Sequence, residues 1–76
     1  MDIHDFRQLN PPEPLNRALA LADRLAPGEA VVVLTPFWPA PLLEALRDRG
    51  LLRRAKMLPE GGCEIHLERA DGPDRA

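Results

Sequence analysis

The sequence has little of several features, and each scarcity excludes a class of protein. It contains one cysteine in 76 residues, which excludes an internal disulfide and any metal site built from cysteines alone. Neither sign of charge dominates, because 10 Lys and Arg accompany 12 Asp and Glu, so the broad cationic surface of a nucleic-acid-binding protein is not present. No apolar run approaches the roughly 20 residues that cross a bilayer.

What the sequence does contain is typical of one small folded domain. Hydrophobic residues make up 45% and charged residues 29%, as in an ordinary globular protein. The segment MDIHDFRQLN lacks the basic and apolar regions of a secretory signal, so we expect a reduced, cytoplasmic protein. We expect a single domain over residues 1–70 and a flexible tail over residues 71–76.

The first half of the chain predicts two strands joined by a helix. Residues 2–6 are interpreted as a short strand, and the apolar run over 30–34 as a central strand. Between them, Asn10 is the predicted N-cap, with two prolines in the first turn and Glu13 in a capping box. Apolar residues then recur at three- and four-residue steps as far as Leu25, which predicts an amphipathic helix.

The second half predicts another helix and a hairpin. The helix begins at Pro39 or Pro41 and ends at Gly50. The hairpin has arms over 51–58 and 63–69, with opposite charges facing each other across the strands and Met57 on the apolar side. The element order β-α-β-α-β-β predicts an α+β fold, a two-layer α/β sandwich with a four-stranded mixed sheet and two helices on one face.

Residues 5–14, DFRQLNPPEP, resemble the sulfur-carrier family that includes TusA and SirA. That family has Asp-x-Arg-Gly-Leu followed by Cys-Pro-x-Pro at the start of the first helix. A branch called DUF2249 is more similar, because it often has Pro-Pro-Glu-Pro here and Pro-x-Pro-Leu at the second helix, as in residues 39–42. The sequence is therefore identified as a member of DUF2249 with a TusA/SirA-like fold.

The sequence departs from the sulfur carriers at Pro11, which stands where they have cysteine. In those relatives the helix start stabilises a thiolate that carries sulfur as a persulfide. Pro11 has no nucleophile, so sulfur relay at this position is excluded. Cys63 shares the apolar side of the last strand with Ile65 and Leu67, and we interpret it as a small buried hydrophobe. A relocated persulfide site at Cys63 is the alternative.

Five residues are candidates for binding. Arg7, Asn10 and Glu13 lie at the first helix start, which we interpret as a well-capped terminus and alternatively as a small anion or partner site. Phe37 and Trp38 lie in the proline-rich loop TPFWPAP. Trp38 is predicted to close one end of the core, and the alternative is a rigid, exposed aromatic that contacts a partner.

Metal and nucleic-acid sites are not expected. His4 and His66 are too few and too scattered for a metal site, and we expect no cofactor. The basic residues between Arg47 and Lys56 are interpreted as a solvated face that nearby acids offset. We expect neither a membrane nor a DNA partner, and RNA binding is kept only as an alternative.

These observations favour a small non-enzymatic module that binds or regulates a protein partner. The contacts would involve the first helix start, the Phe37–Trp38 loop and the open face of the sheet. The resemblance implies a bacterial, redox-associated setting. Two alternatives stay open: sulfur transfer through Cys63 and an RNA-binding domain.

Overall fold

A computed structural model describes residues 2–70, which form a four-stranded sheet and two helices. The elements are β1 (Asp2–Asp5), α1 (Glu13–Arg24), β2 (Ala30–Thr35), α2 (Ala40–Asp48), β3 (Leu52–Met57) and β4 (Cys63–Glu68). The sheet order is β1-β2-β4-β3; β1 runs parallel to β2, and the other two neighbouring pairs are antiparallel. This arrangement confirms the predicted α+β fold and its element order. The predicted tail over 71–76 lies outside the described residues.

The start of α1 differs from the prediction. The helix begins at Glu13, its N-cap position is Pro12, and no side chain caps it. Asn10 contributes only its carbonyl oxygen, which accepts the Glu13 N–H at 2.9 Å. The predicted Asn10 cap is wrong. A capping side chain bonds the second or third N–H of a helix; Pro12 has no N–H, and the Glu13 N–H donates to the backbone carbonyl of Asn10 instead of to its side chain.

The core lies between the two helices and one face of the sheet. β4 alternates as predicted: Cys63, Ile65 and Leu67 are fully buried, whereas the residues between them are partly exposed. The middle of β2 is buried throughout, as expected for a strand with neighbours on both sides. The helices complete the core with small and branched apolar side chains, namely Ala18, Ala22, Leu42, Leu43 and Leu46.

The hairpin carries the predicted cross-strand ion pairs. Lys56 Nζ lies 3.4 Å from Glu64 Oε1, and Arg53 Nε lies 3.5 Å from Glu68 Oε1. Met57 pairs with Cys63 in the register but is 54% exposed, and it stands at the end of an edge strand. The predicted placement of Met57 on the apolar side therefore holds for its register position only.

Candidate functional site

The starts of both helices meet the end of β2 around an apolar pocket of about 190 Å³. Proline fixes its own backbone angle and has no N–H, so a wall of prolines is stiff and poor in hydrogen-bond donors. Six of the nine prolines in the sequence line this pocket, beside Phe37 and two leucines. The lining residues are Pro11, Pro12, Pro14, Leu15, Thr35, Pro36, Phe37, Pro39, Pro41 and Leu42. We call this cavity the proline pocket.

The loop beside the proline pocket presents two aromatic side chains to solvent. Phe37 is 52% exposed and Trp38 is 48% exposed. The prediction that Trp38 closes the core is therefore wrong. The space beneath the helices is filled by aliphatic side chains, and the Thr35 hydroxyl donates a hydrogen bond to the Phe37 carbonyl oxygen at 2.9 Å, which fixes the turn after β2.

Arg7 forms ion pairs with two carboxylates of the protein itself. Its Nε and Nη2 donate to the two carboxylate oxygens of Asp5 at 2.9 and 2.8 Å, and its Nη1 lies 3.5 Å from Glu60. The side-chain hydrogen bond from Arg7 lowers the pKa of Asp5 to about 2, and the same bond raises the pKa of Arg7. A guanidinium shared by two carboxylates has little remaining attraction for an anion at the start of α1.

Asn10 and Glu13, the other candidates at this helix start, are exposed. The Glu13 carboxylate lies 3.3 Å from Arg17 Nε, one helical turn further on. An acidic first residue places negative charge where an anion would bind. The adjoining prolines provide no N–H donors, so the helix start lacks the usual features of an anion site.

Cys63 is fully buried in the core. Burial raises the pKa of its thiol, since a thiolate loses its hydration there. Its Sγ lies 3.9 Å from the carbonyl oxygen of Glu64. This environment matches the interpretation of Cys63 as a small hydrophobe and is unlike that of a reactive cysteine, which is partly exposed and next to positive charge.

The basic residues predicted as a solvated face are largely neutralised. Besides the two hairpin pairs, Arg49 Nε lies 3.7 Å from Asp23. On the open face of the sheet, Glu64 accepts from His66 at 3.2 Å, and its pKa is lowered by His66 first and by Lys56 second. This stretch is thus a mixed surface of alternating charge.

Between residues 2 and 70, no three His, Cys, Asp or Glu side chains are grouped closely enough to hold a metal ion. No helix in that part of the chain is both long and apolar enough to span a membrane.

Fold and site together define a small two-layer α+β domain whose helix starts surround an apolar pocket. The family model described as "Uncharacterized conserved protein (DUF2249)" matches residues 3–69, from β1 through the end of β4. The chain belongs to this family. No curated protein and no solved structure matches the chain.

Sequence reasoning found the aromatic loop but missed the pocket beside it. The signal lies in the two proline clusters over 11–14 and 36–41, which the sequence alone presents as a separate helix start and loop. Only the fold brings them together, because the starts of α1 and α2 both lie beside the end of β2. The structure thus joins Phe37 to the α1 start through the pocket walls, whereas Arg7 belongs to a separate ion-pair cluster.

Proposed function

We propose that this DUF2249 protein is a small non-enzymatic module that binds a partner protein through the proline pocket and the adjoining Phe37–Trp38 loop. We further propose that it acts in the bacterial cytoplasm, with a TusA-like fold in which Pro11 occupies the position of the sulfur-carrying cysteine.

The size and chemistry of the pocket support a protein partner. Small-molecule sites usually enclose about 300–1,000 Å³ and place a few polar groups to orient the ligand. The proline pocket measures about 190 Å³, and Thr35, its one polar lining residue, already donates to Phe37. A cavity of this kind suits one large apolar side chain inserted by another protein.

The aromatic loop supplies the surrounding contact surface. Phe37 and Trp38 leave about half of their surface in water, and such exposure is unfavourable unless a partner covers it. Tryptophan is enriched among the residues that carry most of the binding energy in interfaces. The flanking prolines hold the loop in place, so little conformational entropy is lost on binding.

The two alternatives have less support. Sulfur transfer through Cys63 needs an accessible thiolate, whereas this thiol is fully buried and its pKa is raised. RNA binding needs a cluster of free cations, whereas three of the five basic residues between positions 47 and 56, namely Arg49, Arg53 and Lys56, each lie within 3.7 Å of a carboxylate.

The experiment is a selection of peptides from a phage-displayed library against the folded protein. Trp38 is the sole tryptophan and there is no tyrosine, so its fluorescence reports directly on the loop. We expect the selected peptides to contain a large apolar residue and to shift Trp38 emission to the blue. Phe37→Ala should weaken them by about tenfold or more, as for a residue at the centre of an interface.

Met57→Ala is the matched control, because Met57 is apolar and as exposed as Phe37 but lies on β3. It should leave binding unchanged. Peptides that lose equal affinity in both variants, or a selection that yields no binder at this loop, would show that the pocket is not a protein-binding site.

A further inference from the structure

A second surface for binding lies along β1, which forms one edge of the sheet. The Phe6 N–H donates to the Leu34 carbonyl oxygen at 2.8 Å, so the backbone of Phe6 faces β2. Backbone groups alternate sides along a strand, and His4 therefore also faces β2. The N–H and C=O groups of Ile3 and Asp5 point away from the sheet, and β1 has no second neighbouring strand within residues 2–70.

The two edges of the sheet differ in how they are protected. The β3 edge carries Arg53, Arg54 and Lys56, and its register shifts between Leu52 and Arg54. Charged side chains and such irregularities are the usual devices that prevent another strand from pairing. β1 contains no lysine or arginine, and its four residues pair with β2 in regular register. Its charged residues are Asp2 and Asp5, and the Asp5 carboxylate is already bound by Arg7. β1 is therefore the edge open to an added strand.

A groove runs beside β1, between this strand and α1. It consists of two adjoining hollows of about 270 and 250 Å³, which share His4, Leu21 and Arg24 in their walls. The larger hollow also contains Phe6 and Arg17 and no acidic residue.

The charge of the groove changes along its length. Asp2 and Glu29 line only the smaller hollow, so positive charge is concentrated at the end near Phe6. Arg24 forms no ion pair within residues 2–70, whereas Arg17 pairs with Glu13. A complementary ligand for this end is apolar where it meets Phe6 and Leu21, and acidic where it meets Arg24.

We propose that β1 and α1 form a docking site for an extended acidic segment of a partner protein, which adds a fifth strand to the sheet. The segment would hydrogen-bond with the outward groups of Ile3 and Asp5. Alternate side chains of the segment would enter the groove, with an apolar one against Phe6 and Leu21 and a carboxylate against Arg24. This surface is separate from the proline pocket and does not depend on the function proposed for it.

The test uses random dodecapeptides displayed on phage and the folded protein with ¹⁵N-labelled amides. We expect one group of selected peptides to alternate apolar and acidic residues and, when bound, to slow hydrogen exchange at the Ile3 and Asp5 amides. Two results would overturn the proposal: peptides that slow exchange at these amides but are basic instead of acidic, or selected peptides that all leave both amides exchanging as fast as in the protein alone.

Two matched pairs of variants give independent readouts. Ile3→Pro removes the outward N–H, whereas Ile3→Ala keeps it while removing the same side chain. Binding should fall by about tenfold or more only with proline. Arg24→Glu should weaken binding by at least as much, whereas Arg47→Glu, which changes an arginine in the last turn of α2, should not.

Three results decide against the acidic-strand site. Equal binding to the proline and alanine variants excludes strand addition. If Ile3→Pro fails to fold, equal binding to Arg24→Glu and Arg47→Glu by itself excludes the acidic contact. If every selected peptide is lost with Phe37→Ala and retained with Arg24→Glu, the peptides bind the proline pocket, which supports the proposed function and overturns this inference.

Discussion

The side chain of Arg7 lies across Gly62 and connects the end of β1 to the turn between β3 and β4. A Cβ atom at residue 62 would lie 3.1 Å from Arg7 Cδ and 2.6 Å from the carbonyl oxygen of Thr35. The same arginine binds Asp5 and reaches Glu60 in the hairpin turn. Its contacts identify Arg7 as a residue that links the end of β1 to the hairpin turn.

Gly62→Ala should destabilise the protein more than Gly61→Ala. Both glycines have positive φ, 91° at Gly62 and 106° at Gly61, so each alanine incurs about 1–2 kcal/mol of backbone strain. Nothing lies within 4 Å of a Cβ at residue 61, whereas at 62 it meets a backbone oxygen. We expect Gly62→Ala to lower the free energy of unfolding by about 1–3 kcal/mol more, measured by urea titration. Equal losses of stability in the two variants would show that the close approach of Thr35 and Arg7 to residue 62 does not add to the cost of an alanine there.

The Asp5–Arg7 pair should make stability depend on pH in the acid range. The pKa of Asp5 is about 2 in the folded protein and 3.8 without its partner, so this contribution is complete above pH 3.8 and is lost as the pH falls through 2. The loss is modest because both side chains are partly exposed and solvent screens the pair. Urea unfolding of the wild type and of Asp5→Asn at pH 5 and pH 2 measures it. The gap in stability between the two proteins should narrow at pH 2, and a gap that is constant would contradict the prediction.

Cys63 should react with a thiol reagent only when the protein opens. Its side chain is fully buried, so a reagent cannot reach the sulfur in the folded state, and its raised pKa keeps the thiol protonated. We expect labelling slower by orders of magnitude than in denaturant, with no gain of a sulfur atom in intact mass after treatment with a persulfide donor. Cys63→Ser provides the control for the mass measurement. Fast native labelling, with a sulfur gain that the serine variant lacks, would restore the sulfur-transfer alternative.

Trp38→Ala should leave the stability nearly unchanged. The indole is half exposed, and surface substitutions usually change the free energy of unfolding by about 0.5 kcal/mol or less. Leu46→Ala, at a fully buried position of α2, should lower it by about 2–5 kcal/mol. Circular dichroism follows both variants, since Trp38→Ala removes the fluorophore. A large loss with Trp38→Ala would mean that the loop supports the core and is not free for a partner.

The elements were predictable where the signal is local. The alternation from Cys63 to Leu67 and the unbroken apolar run of β2 each define a strand and its neighbours, because side chains alternate sides of a sheet. The amphipathic period of α1 likewise predicts its buried side, including Ala18 and Ala22. From these elements the parallel pair β1–β2 and the hairpin β3–β4 follow, whereas the place of β4 between β2 and β3 was not predicted.

The site was less predictable because it depends on contacts between distant segments. Whether Trp38 enters the core depends on the volume left by leucines elsewhere in the chain, and no local pattern reports that volume. The proline pocket joins residues near position 12 to residues near position 40. The absence of an Asn10 side-chain cap has a local cause that the sequence shows in part: Pro12 lacks one of the two N–H groups that a capping asparagine can bind.

The strand order has a consequence for how the protein folds. β4 is the fourth strand in sequence, yet it lies between β2 and β3 in the sheet. During synthesis, β2 and β3 leave the ribosome without the strand that joins them, and the sheet cannot close until residues 63–68 emerge. We therefore expect folding to begin only after synthesis has passed β4, so that a nascent chain stopped before Cys63 stays unfolded.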